Sequence, residues 1–184
     1  MVQEIINVVK RGTRGKEPLN IEKIHDMVEY ACEDIKGVSS SQVEMQSGLQ
    51  FYDGMSTDEI QQILIKSAAD LISLENPNYQ YVAARLLLYS LRKQVIDKLW
   101  DHPHIYEHTK KCIEKGVYDP SILESYEKKD FDRMENWINH NRDYDFTYAG
   151  LRQVIDKYLV QDRSSGEVFE TPQFMYMMIS ATLF

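Results

Sequence analysis

Residues 8–23 read VVKRGTRGKEPLNIEK, and this stretch decides the fold because a short turn joins a β-branched run to a helix start. It crowds four basic side chains together: Lys10, Arg11, Arg14 and Lys16. Backbone N–H groups at a helix N-terminus attract anions, and basic neighbours strengthen that attraction. The whole chain has a net charge of −8, so we expect this basic island to hold the phosphates of a nucleotide. An ordinary solvated turn is the alternative.

The bulk composition limits the class of protein. The 184 residues are 43% hydrophobic and 27% charged, which suits a globular chain of one or two domains. Broad binding of DNA or RNA needs a positive face, and the acidic balance argues against one. We therefore expect no nucleic-acid partner.

The cysteines and the apolar runs indicate a cytoplasmic setting. Cys32 and Cys112 are too few for a disulfide framework, which favours a reducing compartment. The N-terminus does not have the charge-then-apolar order of a signal peptide. Apolar runs stay short of the roughly 18 residues of a membrane span, so we expect no membrane partner.

Hydrophobic spacing predicts a basic β-hairpin followed by four helices. Residues 5–10 and 16–19 are typical of two short strands. Asn20 is suited to cap the first helix. The second helix is weaker, the third has Thr57 as its expected N-cap, and the fourth covers residues 79 to 100.

Beyond the fourth helix, turn signals recur at short intervals. We expect short helices, then a hairpin with a Gly-containing turn, then a last helix, over residues 105–115, 120–128, 131–139, 148–158, 159–170 and 172–184. The last helix is apolar all round, a pattern that belongs in a core. We therefore expect either a piece of a longer protein or a core that another chain completes.

Seven stretches carry a more specific pattern. They read VVKR, LNIEKIH, SQVEMQSGLQFYDGMSTDEIQQILIKSAADLIS, PNYQYVAARLLLYSLRK, GVYDPSILESY, NRDYDFTYAG and KYLVQDRSSGEVFETPQF. In this order, and over nearly the whole chain, they resemble the N-terminal part of the large (α) subunit of class I ribonucleotide reductase. The resemblance is to the bacterial and T-even-like phage forms.

The resemblance implies a mainly α fold in three parts. Residues 1–95 would form an ATP-cone, a basic β-hairpin on four helices that regulates overall activity. Residues 96–150 would form a helical connector. Residues 151–184 would supply one β-hairpin and a terminal apolar helix to a larger, catalytic α/β barrel domain.

In this family the cone binds ATP as an activator or dATP as an inhibitor, and Mg²⁺ is expected with the nucleotide. The resemblance places the nucleotide against one set of residues: Lys10, Arg11, Glu17, Pro18, Leu19, Asn20, Ile21, Glu22, Lys23, Thr57, Ile60, Gln61, Tyr89 and Lys93. Lys10 and Arg11 would meet the phosphates. The family's usual K-R-D-G turn is K-R-G-T-R-G here, and Gln61 stands where His is common.

The resemblance also assigns the chemistry to residues outside this chain. The family reduces ribonucleoside diphosphates for deoxyribonucleotide biosynthesis and DNA replication, with a thiyl-radical cysteine and coupling to thioredoxin or glutaredoxin. Cys32 and Cys112 match none of its catalytic cysteines, so we expect no catalytic residue here. The expected partners are the remaining part of the α subunit (in the same or a separate polypeptide), a second α subunit, and a small β subunit with a diiron-tyrosyl radical.

Two other functions stay open. One is a stand-alone ATP-cone protein that senses nucleotides. The other is a decayed cone that acts only as a structural part of a subunit.

Two further clusters have simple interpretations. His104, His108 and Cys112 follow a four-residue spacing that zinc accepts, but a fourth ligand is not visible, and we expect no metal. Asp143 and Asp145, next to an arginine, are interpreted as loop charges that fix local structure rather than as a catalytic carboxylate pair.

Overall fold

The computed structural model describes residues 6–10, 15–48 and 50–184. The chain divides into two compact units: Met1–Leu87 with Thr147–Ala149, and Leu88–Phe146 with Gly150–Phe184. Helices make up most of the described residues in both units, which confirms the prediction of a mainly α fold.

The first unit combines a small sheet with helices. Its strands are β1 (Asn7–Val9), β2 (Lys16–Pro18) and β3 (Met55–Ser56), and its helices are α1 (Ile21–Cys32), α2 (Ser40–Gly48), α3 (Thr57–Asp70) and the first half of α4 (Tyr79–Ile96). The central strand β1 pairs antiparallel with β2 and parallel with β3. The predicted basic hairpin is therefore present, whereas β3 is a strand that the sequence analysis did not predict.

Buried apolar side chains anchor this sheet to its helices. Val8 and Met55 are register partners on β1 and β3, and both are buried. The buried positions of α1 recur at the spacing of one helix face: Ile24, Val28 and Ala31. Full burial of one such aliphatic side chain contributes about 1.5–3 kcal/mol. This burial stabilises the packing of the short strands against the helices.

The second unit is helical with one small hairpin. Besides the second half of α4, it contains α5 (Ile105–Glu114), α6 (Ser121–Ser125), α7 (Lys128–Glu135), a 3₁₀ helix (His140–Asp145), most of α8 (Tyr148–Lys157), β4 (Gln161–Asp162), β5 (Glu167–Val168) and α9 (Pro172–Leu183). β4 and β5 pair antiparallel, as the Gly-containing turn predicted. Its core cluster joins α5, α7 and α9 through Ile105, Phe131, Met134, Phe174 and Met178.

A buried ion pair ties these elements together. Arg92 on α4 and Asp143 on the 3₁₀ helix are each 1% exposed, with Nη2 and Oδ2 3.3 Å apart. Arg92 Nη2 also donates to the His140 carbonyl at 2.7 Å, and Nη1 donates to the Tyr144 hydroxyl at 3.1 Å. The other oxygen of Asp143 accepts from Gln173 Nε2 on α9 at 2.9 Å. Buried charges need such additional partners, so this network holds α4, the 3₁₀ helix and α9 in one arrangement.

The same network corrects the interpretation of the acidic pair near residue 143. The sequence analysis expected Asp143 and Asp145 to act locally within a loop. The segment is a 3₁₀ helix instead, and Asp143 pairs with Arg92, which lies 51 positions earlier. Local spacing carries no signal for a partner at that distance.

Two imidazole rings stack beside this network. The rings of His102 and His140 have centroids 3.6 Å apart and planes 5° apart, and both rings pack edge-on against Phe174. Within the described residues, both ring nitrogens of each histidine are buried without a hydrogen-bond partner. Burial lowers the pKa of His102 to about 3, with further lowering by His140 and Arg92. Burial and Arg92 lower the pKa of His140 to about 4.

Acidification should therefore destabilise the second unit. The ordinary histidine pKa of 6.5 applies to the unfolded chain, and the folded values lie below it. The unfolded state then binds more protons, so stability is present above pH 6.5 and is lost as the pH falls toward 4. Between pH 7.5 and 5.5 the loss should exceed about 1 kcal/mol per histidine. Thermal unfolding followed by circular dichroism at both pH values measures it.

A double variant gives the matched comparison for this pH effect. His102→Phe with His140→Phe keeps two stacked rings and should lose most of the pH dependence. The exposed His25, whose pKa is raised chiefly by the Glu44 carboxylate, is the control site. His25→Gln should not reduce the loss of stability on acidification. Equal pH dependence in the double variant and the unaltered chain would contradict the assignment.

Candidate functional site

Hydrogen bonds between Asn7 and residues 53–54 join the basic hairpin to the turn before α3, and we call this set of bonds the clip. Asp53 Oδ1 accepts from the backbone N–H of Asn7 at 2.8 Å and from its side-chain Nδ2 at 3.0 Å. The Gly54 N–H donates back to the Asn7 carbonyl at 2.8 Å. These hydrogen bonds from Asn7, with Lys16 as a smaller cause, lower the pKa of Asp53. The clip brings residues 52–54 and the hairpin together at one end of the sheet.

The backbone conformation of the turn in this clip favours glycine. Gly54 has a φ of 87°, in the left-handed region that favours glycine. A Cβ there would lie 3.7 Å from Lys16 Nζ. The ammonium of Lys16 therefore lies directly beside this turn.

The register of the sheet places a helix N-terminus across β1 from Lys16. Val9 on β1 pairs with Lys16 on one side and with Ser56 on the other. Ser56 is the N-cap of α3: its Oγ accepts from Glu59 N at 3.1 Å, and its own N–H donates to Glu59 Oε2 at 2.7 Å. This capping box corrects the prediction that Thr57 is the N-cap. Thr57 is the first residue of the helix instead.

The start of α1 supplies a second helix N-terminus in the same unit. Asn20 caps it as predicted, since its Oδ1 accepts from Lys23 N at 3.0 Å. β2 ends at Pro18, so two residues separate the basic hairpin from this helix. Positive ends of helix dipoles and basic side chains both favour an anion in this region.

The cations differ in how they are engaged. Lys10 Nζ lies 2.8 Å from Glu17 Oε2 across the hairpin, with both side chains about half exposed. Lys16 and Lys23 are exposed. Arg11 belongs to residues 11–14, which lie outside the described residues.

The remaining predicted residues are distributed over both units. Pro18, Leu19, Ile21 and Glu22 follow the hairpin into α1, and Thr57, Ile60 and Gln61 open α3. Ile60 is buried, and Gln61 Nε2 donates to the Leu86 carbonyl on α4 at 2.8 Å. Tyr89 and Lys93 lie in the part of α4 that belongs to the second unit. Tyr89 is buried, and Lys93 is exposed.

Sequence reasoning missed three residues that build this site. Asn7, Asp53 and Ser56 form the clip and the helix cap, but none was among the predicted residues. The Asp-Gly pair at 53–54 was noted as a turn, which was the available signal. Its partner on β1 depends on the parallel pairing of a two-residue strand, which sequence spacing does not reveal.

The spaced histidines and cysteine do not form a reactive pair. His108 Nε2 lies 3.5 Å from Cys112 Sγ, and both side chains are buried. Burial lowers the pKa of His108 to about 4 and raises the pKa of Cys112 to about 11, so both are neutral near pH 7. His104 faces Asp132 instead, at 3.4 Å.

In residues 6–10, 15–48 and 50–184, no three His, Cys, Asp or Glu side chains are grouped so that they could hold a metal ion. Across the same part of the chain, none of the helices has both the length and the apolar character needed to cross a bilayer.

Comparison with known proteins gives the class of each part. Residues 6–94 match the ATP cone domain family. Residues 144–184 match the family described as the ribonucleotide reductase all-alpha domain. The chain thus combines an ATP-cone type of domain with a stretch of the ribonucleotide reductase all-alpha type.

Relatives that match over nearly the whole chain identify the family more specifically. Ribonucleoside-diphosphate reductase 1 subunit alpha of Escherichia coli K12 is 45% identical over 177 residues, which cover 96% of this chain and 23% of that protein. The corresponding alpha subunits are 40% identical over 182 residues in Enterobacteria phage T4 and 38% identical over 180 residues in Helicobacter pylori. These matches cover 98% and 97% of this chain, and 24% and 22% of those proteins.

The chain therefore carries the N-terminal ATP-cone and all-alpha domain of a ribonucleoside-diphosphate reductase alpha subunit. It spans less than a quarter of the length of these relatives. The resemblance seen in the sequence is confirmed.

Loss of the α3 cap should weaken the edge of the site. Ser56→Ala removes the acceptor for Glu59 N and breaks the capping box, at a cost of about 1 kcal/mol. Denaturant unfolding followed by circular dichroism measures it. Ser125→Ala is the matched control, because the Ser125 hydroxyl only back-bonds to the Ser121 carbonyl on an exposed helix. An equal free energy of unfolding in the two variants would contradict the assignment of Ser56 as the cap.

Proposed function

We propose that the first unit binds ATP or dATP as an allosteric effector of a ribonucleoside-diphosphate reductase. The observation that carries this proposal is the register at Val9, which sets Lys16 of β2 on one side of β1 and the capped N-terminus of α3 on the other. A triphosphate matches that combination of ammonium groups and helix dipoles. The match to the ATP cone domain supports the choice of ligand.

In the proposed complex, basic side chains meet the phosphates. Lys10, Arg11 and Lys23 would make these contacts, with residues 17–23 lining the site. Thr57, Ile60 and Gln61 would contribute the start of α3, and Tyr89 and Lys93 would contribute α4. Regulation further requires that the nucleotide favour one assembly state over another, since equal affinity for both states would shift nothing.

Magnesium would arrive on the triphosphate rather than on a protein cage. Two carboxylates of this region are already engaged, since Asp53 accepts from Asn7 and Glu59 accepts from Ser56. Mg²⁺ commonly keeps several waters and binds phosphate oxygens with few protein ligands. The residues here fit that mode of binding.

The reduction of ribonucleoside diphosphates is proposed for the complete assembly. The thiols of this chain stay protonated near pH 7, because burial raises the pKa of both Cys32 and Cys112 to about 11. A redox-active or radical cysteine would come from the remaining part of the α subunit. A β subunit would supply the diiron-tyrosyl radical, and a second α subunit would complete a dimer.

A free-standing nucleotide sensor is the weaker alternative. The match of residues 144–184 to the all-alpha domain of the reductase has no role in such a sensor. The extent of the relatives' alignment, 96% of this chain for the E. coli subunit, favours the reductase as well.

Calorimetric titration of the 184-residue chain with ATP and with dATP tests effector binding. Lys10→Ala should weaken ATP binding about tenfold, the worth of one charge-assisted contact. Lys129→Ala is the control, because Lys129 is an exposed, ion-paired lysine of the second unit. The unaltered affinity should persist in that variant. Failure of the unaltered chain to bind either nucleotide would indicate the decayed cone.

A groove beside α9 supports the proposed partner within the α subunit. Its volume is about 840 Å³, and apolar side chains line much of it: Tyr158, Met175, Met178, Ile179, Leu183 and Phe184. Tyr158, Ile179, Leu183 and Phe184 are exposed by 47–101%. Exposed apolar patches of this kind are typical of interaction sites. The relatives are about four times as long as this chain, so we propose that their remaining polypeptide occupies this groove.

Co-purification tests the occupant of the groove. A tagged polypeptide corresponding to the rest of the phage T4 relative should retain the 184-residue chain. Ile179→Lys should abolish retention by placing a charge in the groove. Leu74→Lys is the matched control, since Leu74 is fully exposed in the first unit. Self-association of this chain through Ile179, with no retention by that polypeptide, would refute the proposed occupant.

A further inference from the structure

A buried carboxylate lies among the apolar side chains of the groove beside α9. Glu170 lines this groove just before α9 begins, and its side chain is 2% exposed. Burial raises the pKa of this carboxyl, and the hydrogen bonds that it accepts offset only part of that rise. A buried carboxylate is costly in its ionised form unless a cation and further hydrogen bonds compensate it.

Two donors reach the Glu170 carboxylate, and neither is a cation. The Tyr118 hydroxyl donates to Oε2, and the Val160 N–H donates to Oε1 at 2.7 Å. In the part of the chain that the structure describes, Glu170 forms no ion pair, and no cation contributes to the change in its pKa. Asp143, which is buried to a similar extent, differs because it pairs with Arg92. The charge of Glu170 is therefore hydrogen-bonded but not neutralised by the described residues.

The lining of the groove indicates the chemistry of a group that would neutralise this charge. Among the described residues, the charged side chains of the lining are both acidic, Asp119 and Glu170. Apolar groups of Met175, Met178 and Tyr158 line other parts of the groove, whose volume is about 840 Å³. A carboxylate has about four lone-pair sites, so further donors can bind beside the two already present. Arginine and lysine combine an apolar stem with a cationic end, and they match this combination of surfaces.

We propose that the remaining polypeptide of the α subunit inserts an arginine or lysine side chain into the groove and pairs it with Glu170. Charge complementarity selects the basic side chain, and the apolar lining selects apolar neighbours for it. The occupant is thus an apolar segment that carries one buried cation. This inference rests on the occupant proposed above for the groove.

Calorimetric titration of the 184-residue chain with the remaining polypeptide of the phage T4 relative tests the pair. Glu170→Gln removes the charge and keeps the size of the side chain. It should raise the Kd by at least about tenfold, because the cation of the polypeptide is then buried without its partner. Glu167→Gln is the matched control, since Glu167 is an exposed carboxylate that pairs with Lys115 and is not among the residues that line the groove. The Kd of this control should stay within about twofold of the unaltered value.

The stability of the free chain separates this pairing from a purely structural role of Glu170. A glutamine at this position can accept from the Val160 N–H and donate to the Tyr118 hydroxyl oxygen. Glu170→Gln should therefore not lower the free energy of unfolding of the isolated chain, measured by denaturant unfolding with circular dichroism. Tyr118→Phe removes one donor but keeps the charge, so its Kd should stay within about threefold of the unaltered value.

The outcomes separate the inference from the proposal on which it rests. An unchanged Kd in folded Glu170→Gln overturns the pairing and leaves the proposed occupant in place. Equal losses of affinity in Glu170→Gln and Tyr118→Phe also overturn the pairing, because they indicate a structural hydrogen bond. If Glu170→Gln does not fold, Tyr118→Phe decides: retained affinity supports the pairing, and lost affinity refutes it. Failure of the unaltered chain to bind the polypeptide overturns the proposed occupant, and the inference with it.

Discussion

The arrangement of the second unit depends on the burial of the Arg92 guanidinium. A cation in a low-dielectric interior is costly unless its N–H groups find acceptors. Here the acceptors are Asp143, the His140 carbonyl and the Tyr144 hydroxyl on the 3₁₀ helix, together with the Leu99 carbonyl just after α4. Because Asp143 also accepts from Gln173, the charge fixes three elements that are distant in sequence. A charge removed from either side would leave the other buried and unpaired, so the pair acts as a constraint on geometry more than as a source of stability.

In the first unit, Lys10 and Lys16 lie at the ends of very short strands. Strands of two or three residues have few ladder hydrogen bonds, and side-chain bonds supplement them. The Asp53 clip joins the hairpin to the turn before α3, and the Ser56 capping box fixes where that helix begins. Packing and hydrogen bonds therefore fix the backbone that carries these cations, while their ammonium groups stay in solvent.

The sequence predicted what local patterns encode. Periodicity gave the helices of both units, and the glycines and β-branched run gave the basic hairpin. It did not predict β3, because a two-residue parallel strand has no periodicity of its own. It assigned the α3 cap to Thr57, one residue late, because Ser and Thr are both good caps and only the Ser56 side chain reaches Glu59 N.

The candidate site was predictable in its basic residues and less so in their surroundings. Lys10 and Lys16 were visible as part of a charge cluster, and Asn20 was visible as the cap of the helix that follows. The supports of Tyr89 were not visible, because Trp100 and Tyr144 contact it only after residues 97–146 fold back. Contacts at such separations depend on the tertiary fold and leave no trace in local spacing.

The ion pair between Lys10 and Glu17 has a consequence for how any anion binds here. The ammonium already contacts a carboxylate at 2.8 Å, so an incoming phosphate competes with that carboxylate. Binding at this lysine is then an exchange of one anion for another. The net gain is the difference between two attractions in solvent, which favours ligands of higher charge density than a carboxylate. Glu17 thereby competes with the phosphate for Lys10 and lowers the affinity of the hairpin for an anion.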